Sequence, residues 1–148
     1  MSKAARKKKP LKENKLVYLL VIIIILGALY IVVPGKQVEA TSLEEGIRLA
    51  RDQDKLIFLY INGEGCAYCR LLEQQFAQSE EFKNIIEENY IWVTLDFVQN
   101  PTIVNRFGLR GPPALIVLDE NGATIMGIPG YPPNGVQDLL VMLKEALK

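Results

Sequence analysis

Lys55-Leu56-Ile57-Phe58-Leu59-Tyr60-Ile61-Asn62-Gly63-Glu64-Gly65-Cys66-Ala67-Tyr68-Cys69 decides how this chain is read. An apolar run of strand length, rich in Ile, Phe and Tyr, is followed by the turn signal Asn62-Gly63-Glu64-Gly65. Beyond the turn lie the chain's two cysteines, Cys66 and Cys69. Leu72 and Phe76 then fall at i, i+4, with Leu71 adjacent, in an otherwise polar stretch ending near Gln78. That pattern predicts a helix from about 67 to 78 with one buried stripe. Strand, short loop, and a Cys-x-x-Cys pair opening a helix is the setting in which the pair carries redox meaning. Backbone N–H groups at the helix start stabilise a thiolate, so Cys66 becomes the better nucleophile. Cys69 can then close a disulfide on it after a mixed disulfide has formed.

Other uses of the pair fit less well. A structural zinc site needs about four ligands, and the chain has no histidine and no third cysteine. No metal site is expected. Covalent haem attachment needs a histidine directly after the second cysteine, where this chain has Arg70. A purely structural disulfide remains an alternative in an oxidising compartment, although so short a loop constrains the unfolded chain least.

Upstream, residues 1–15 carry Lys3, Arg6, Lys7, Lys8, Lys9, Lys12 and Lys15 against the single acid Glu13. Residues 16–33 follow without a charge, ending at Pro34-Gly35. At about 1.5 Å per residue this run is long enough, at the short end, to cross a bilayer core. The basic flank predicts that residues 1–15 stay in the cytoplasm and that the rest is exported. Two readings compete. Residues 16–33 can be an uncleaved transmembrane anchor with residues 34–41 as its tether. Alternatively they belong to a signal peptide cut after Val38-Glu39-Ala40. The apolar run is longer than the usual ~7–15 residues of a signal h-region, which favours the anchor.

The formal charge of zero hides an asymmetry. From Thr41 to Lys148 there are nine Lys plus Arg and fifteen Asp plus Glu, a net of −6. Nothing in this part resembles a basic nucleic-acid face, and the basic N-terminus reads as a topology signal.

Residues 42–148 have the size of one domain. Ser42-Leu43-Glu44-Glu45 is a capping box, and Leu43, Ile47 and Ala50 share a face, which predicts a helix to about Asp52. Ser79 can cap a helix with Phe82, Ile85 and Ile86 on its apolar side, ended by Asn89. Residues 90–97 read as a strand in which Trp92 is a core or sheet-face residue. Pro101 starts a short helix that stops at Gly108. Residues 114–118 and 123–128 are strands joined by the Asp119-Glu120-Asn121-Gly122 hairpin. After a loop at 130–135, a last helix turns Val136, Leu139, Leu140, Leu143 and Leu147 inward. This order gives an α/β fold: a mixed central sheet with helices on both faces.

The domain resembles the thioredoxin-like superfamily over essentially all of residues 42–148. Besides Cys66-Ala67-Tyr68-Cys69, the segment Phe107-Gly108-Leu109-Arg110-Gly111-Pro112-Pro113-Ala114-Leu115 is similar to the one in which a cis-proline faces the active cysteines. The matching residue is Pro113, 44 residues after Cys69. Independently of the family, an X–Pro bond adopts cis at a cost of only ~0.5–1 kcal/mol. A cis Pro112–Pro113 bond would expose main-chain groups able to pair with an extended substrate. The plain alternative is that the two prolines merely open an edge strand. The capping-box helix before the first strand is similar to the periplasmic thioredoxin-like subgroup.

The chain departs from the family pattern at three places. Gly65 stands where thioredoxins have a tryptophan, and Tyr60 stands where many carry a buried carboxylate that relays a proton to the second cysteine. Glu64 could substitute from the loop, although a solvated role is the simpler reading. Ala67-Tyr68 replaces the Gly-Pro of reducing thioredoxins and resembles some isomerase and glutaredoxin motifs.

The resemblance implies a membrane-anchored thiol–disulfide oxidoreductase without a cofactor, on the periplasmic side of the cell membrane. Cys66 and Cys69 are its catalytic residues, and Pro112, Pro113 and Tyr68 contact substrate. Tyr68 and Tyr131 line the rim of the site or are ordinary loop aromatics. The expected partners are protein disulfides and a membrane thiol relay supplying electrons. An oxidase would instead be recharged by a quinone-linked membrane protein. An oxidase or isomerase of the same fold, or a non-catalytic adaptor using the same groove, are the alternatives.

Overall fold

The computed structural model describes residues 18–25 and 39–148. The basic segment 1–15 and most of the expected span 16–33 lie outside the described residues. Residues 18–25 are helical, and among the described residues no helix is long and apolar enough to cross a membrane.

From residue 39 onward the chain is β1 (Glu39–Ala40), α1 (Leu43–Gln53), β2 (Leu56–Asn62), α2 (Ala67–Gln78), α3 (Glu80–Asn89), β3 (Tyr90–Asp96), α4 (Pro101–Arg106), β4 (Ala114–Leu118), β5 (Thr124–Pro129) and α5 (Val136–Ala146). The five strands form one sheet in the order β1-β3-β2-β4-β5. β1 and β2 both run parallel to β3, whereas β4 is antiparallel to β2 and β5. The sheet is mixed, as the sequence predicts.

Side-chain alternation along the central strands sorts the core into two layers. Phe58 and Tyr60 point to one face, with Leu115 and Val117 from β4, and are covered by α2, α3 and α5. Ile57, Leu59 and Ile61 point to the other, with Ile116 and Leu118, and are covered by α1 and the segment around α4. β2 is apolar on both faces because it is buried on both faces. On the first face, Phe58, Phe76, Phe82 and Trp92 form an aromatic cluster. Phe76 and Phe82 stack at 4.5 Å between centroids, and Trp92 meets Phe58 edge-on at 5.3 Å. α2 is therefore clamped to the sheet through the same stripe, Leu72 and Phe76, that the sequence marks.

The helix ends follow local chemistry. Ser42 accepts from Glu45 N–H at 3.1 Å, and Glu45 reaches Thr41 N–H at 2.9 Å, the two halves of a cap. Ser79 closes α2 and starts α3, its hydroxyl accepting from Phe82 N–H at 3.2 Å. In the hairpin, Asp119 Oδ1 accepts from Asn121 and Ala123, and Gly122 takes a φ of +80°.

Three details differ from expectation. Glu39–Ala40, within the segment expected as a tether, pair with Trp92 and Val93, and Ala40 is buried. Leu147 falls past the end of α5 and is exposed, while Met142 takes an inward place. Strand β2 extends one residue further, to Asn62, where Phe97 N–H donates to its carbonyl at 2.8 Å.

Candidate active site

β2 delivers the chain to the end of the sheet, and a tight turn redirects it into α2. Cys66 N–H donates to Gly63 C=O at 3.2 Å, and Gly65 sits at φ +73°. That left-handed conformation strains any side chain with a Cβ. Gly65 in place of the family's tryptophan is thus a backbone requirement of this particular turn.

Cys66 is the N-cap of α2, and its sulfur accepts from Cys69 N–H at 3.1 Å. The two cysteines form a disulfide with their Cα atoms 5.2 Å apart. They are not equivalent. Cys66 is half-buried, whereas Cys69 is 2% exposed within the core beneath α2. An incoming sulfur meets Cys66 first, and only Cys66 lies at the positive end of the helix.

The Pro112–Pro113 peptide is cis, as the family resemblance implied. Pro112 lies against the redox loop: a Cβ on Gly63 would come within 2.9 Å of its Cγ. Pro113 is buried, and its carbonyl accepts from Gly130 N–H at 2.8 Å. Beside this loop runs an open groove of about 600 Å³, lined by Gly108, Arg110, Gly111, Pro112, Pro129 and Gly130. Three of these residues are glycines and two are prolines, and Arg110 is the one charged side chain among them.

Tyr68 is 60% exposed, and its ring lies 5.2 Å from that of Tyr131. Tyr131 is fixed in turn by Gln75, whose Nε2 donates to the Tyr131 hydroxyl at 3.0 Å. The Gln75 Oε1 accepts from Val136 N–H, the first amide of α5, at 2.9 Å. Gln75 gave no signal in the sequence, because its two partners lie 56 and 61 residues away.

Tyr60 occupies the position of the family's buried carboxylate. Its ring is buried against Phe76 at 5.7 Å between centroids. Its hydroxyl reaches Glu73 Oε1 at 3.2 Å and Cys69 C=O at 3.4 Å. Burial pushes the Tyr60 hydroxyl well above the usual tyrosine range, and the Glu73 carboxylate adds to the rise. Tyr60 therefore stays protonated and acts as a donor. Glu64 is exposed in the loop, in keeping with the solvated role that is its simpler reading. Glu73, like Gln75, is a residue that the sequence did not single out. Its only hint was the i, i+4 spacing after Cys69.

A disulfide at a helix start, one sulfur accessible and one buried, beside a cis-proline loop, defines a dithiol–disulfide protein of the thioredoxin type. The chain belongs to the family described as thioredoxin-like domain, which matches residues 43–145. The disulfide bond reductase DsbH of Chlamydia pneumoniae is 26% identical over 119 residues, covering 72% of this chain and 71% of its own. A solved DsbH oxidoreductase superposes with a TM-score of 0.64 at 19% identity, over 99% of this chain and 94% of that one. The C-terminal domain of Neisseria meningitidis DsbD in the oxidised form superposes with a TM-score of 0.57 at 16% identity, over 68% of this chain and 88% of its own. These structural likenesses establish the fold.

Proposed function

We propose that the chain is a thiol–disulfide oxidoreductase that reduces disulfides in exported proteins while tethered to the outer face of the cytoplasmic membrane. The inequality of the two sulfurs carries this reading: Cys66 is reachable at the helix start and Cys69 is 2% exposed. In the reduced protein the Cys66 thiolate attacks one sulfur of a client disulfide. A Cys66–client bond forms, and the other client sulfur leaves as a thiolate that takes a proton from water. Cys69 then gives up its proton, and its sulfur attacks Cys66. The Cys66–Cys69 bond forms, and the second client sulfur departs and is protonated. Two electrons pass to the client, and the pair ends as the disulfide.

The groove beside Pro112 offers an extended client a place to lie, and Tyr68, between the cysteines in sequence, presents an exposed aromatic surface paired with Tyr131. Returning the pair to the dithiol takes two electrons from a membrane thiol relay. The reductive direction is supported by the disulfide bond reductase to which the chain is similar. The tether is supported by the uncharged run 16–33 behind seven basic residues.

Cys69→Ser tests the mechanism. It should accumulate mixed disulfides with client proteins through Cys66, because the resolving sulfur is gone. Trapping through residue 69 in Cys66→Ser instead would reverse the roles. Potential tests the direction: thioredoxin lies near about −270 mV and a strong oxidant of the same fold near about −120 mV. A value close to the second, without catalysis of insulin reduction, turns the reading to oxidation. N-terminal sequencing of membrane-bound material that begins at Thr41 would remove the tether.

A further inference from the structure

We infer that Tyr60 and Glu73 form a positioning pair that ties a negative charge to the turn of α2 carrying Cys69, keeping its thiol protonated and delaying closure of the disulfide. The inference rests on the dithiol–disulfide reading above. Glu73 lies one helical turn beyond Cys69, on the exposed side of α2. Its carboxylate would be free to point into water were it not tied inward by the Tyr60 hydroxyl at 3.2 Å. The same hydroxyl touches the Cys69 carbonyl at 3.4 Å, so it stands between the carboxylate and the backbone of the buried cysteine. Tyr60 and Cys69 share one apolar cluster, and both are almost completely buried. The carboxylate itself is exposed and partly screened by water, but its field also crosses the apolar cluster around Cys69 and disfavours a second anion there.

Other charges around Cys69 do not duplicate this arrangement. β2 offers Tyr60, and the loop before the helix offers exposed Glu64. On α2 itself stand Cys66 and exposed Arg70. Glu39 of β1 and Lys83 of α3 share with Glu73 the mouth of a crevice of about 310 Å³ floored by Phe76, Phe82 and Trp92. Lys83 is already engaged with Glu80 at 2.7 Å. Tyr131 bonds Gln75, and the Tyr90 hydroxyl is occupied by Leu143 C=O at 2.6 Å. β4 and α5 turn only apolar side chains to this core. Glu73 is thus the one carboxylate with a hydrogen-bonded route to the Cys69 turn among the described residues.

The consequence is a division of labour between the sulfurs. The helix start favours the Cys66 anion, while the Glu73 charge opposes the Cys69 anion. Once Cys66 is bonded to a client, closure waits for Cys69 to lose its proton. The mixed disulfide then persists long enough for the client to be handled before release.

The experiment follows the Cys69 Cβ resonance against pH by NMR, on the reduced, cysteine-labelled full chain. E73Q should lower the midpoint for Cys69 by about one pH unit, a tenfold gain in thiolate below the midpoint. It should also hasten release of a mixed disulfide by a similar factor. Y60F frees the carboxylate to swing into water and should move the midpoint in the same direction. The double variant should move it no further than E73Q. A Cys69 midpoint unchanged in E73Q, a rise in Y60F, or additive shifts would each overturn the inference. Glu73 is exposed, so E73Q decides the matter even if Y60F loses the fold. Cycling of the wild-type pair with dithiothreitol is scored separately. Its failure would remove the oxidoreductase reading, whereas normal cycling with no E73Q effect removes only the positioning pair.

Discussion

Reducing the Cys66–Cys69 bond should lower the stability of the domain, and the size and sign of the change bear on function. The bridged residues are three apart in sequence. A loop this short removes about 6 cal/mol/K from the unfolded chain in the chain-entropy treatment, or about 2 kcal/mol at room temperature. No cavity cost adds to this, because both sulfurs remain in place and the other members of the buried cluster around Cys69 are untouched. For a domain of this size, about 2 kcal/mol corresponds to a fall in Tm of roughly 10 °C. The same free energy enters the redox equilibrium, because what the bridge gives to folding, folding gives back to the bridge. About 2 kcal/mol is about 40 mV for a two-electron couple, toward the reducing side. The assay is denaturant unfolding of the full chain, followed by near-ultraviolet circular dichroism of the aromatic cluster, with and without a phosphine reductant. A reduced form that does not fold, or loses more than about 4 kcal/mol, would mark the disulfide as a brace. A reduced form more stable than the oxidised one would mark an oxidant and refute the proposed direction.

Phe82→Ala should cost about 3–5 kcal/mol by calorimetry, since Phe82 is 1% exposed and stacks on Phe76 at the base of the redox helix. Gly135→Ala should destabilise by about 1–3 kcal/mol: Gly135 has φ +58°, and an added Cβ would collide with the Gln75 side-chain oxygen. In the same variant, the hydrogen bond holding Tyr131 should weaken, read as altered fluorescence of the Tyr68–Tyr131 pair. Glu45 is held below the ordinary carboxylate range by the Thr41 N–H and then the Thr41 hydroxyl, and Asp138 by the Asn134 side chain and then its N–H. Both depressed groups contribute stability that is present above the ordinary carboxylate range and lost as pH falls through their folded-state values. Acid unfolding midpoints should therefore shift to higher pH in Glu45→Gln, with stability near pH 7 reduced and stability below the folded-state value of Glu45 unchanged.

The cysteine pair and the elements that position it were legible in the sequence because their signals are local. The Cys66–Cys69 spacing, the strand before it and the Leu72–Phe76 stripe each lie within one element, and α2 begins and ends where those signals put it. The cis bond at Pro112–Pro113 came from a resemblance, since a proline pair alone favours neither isomer strongly. Gly65 was legible as a departure but not as a reason, because its positive φ arises from the geometry of the closed turn. What escaped was long-range and polar. The Tyr60 hydroxyl finds Glu73 only once β2 and α2 are stacked, and β1 exists only because β3 leaves an edge for Glu39 and Ala40 to pair with. Leu147 fits the helical period but lies past the last turn of α5, so periodicity alone extended the buried face too far.

The helix that carries the cysteines also holds the start of the helix that ends the domain. Gly135 has no side chain with which to cap α5, and the amide of Val136 is satisfied instead by Gln75, from one end of its side chain, while the other end secures Tyr131. One glutamine is thus a joint shared by three segments. Losing that one side chain would therefore unseat the first amide of α5 and the Tyr131 hydroxyl together.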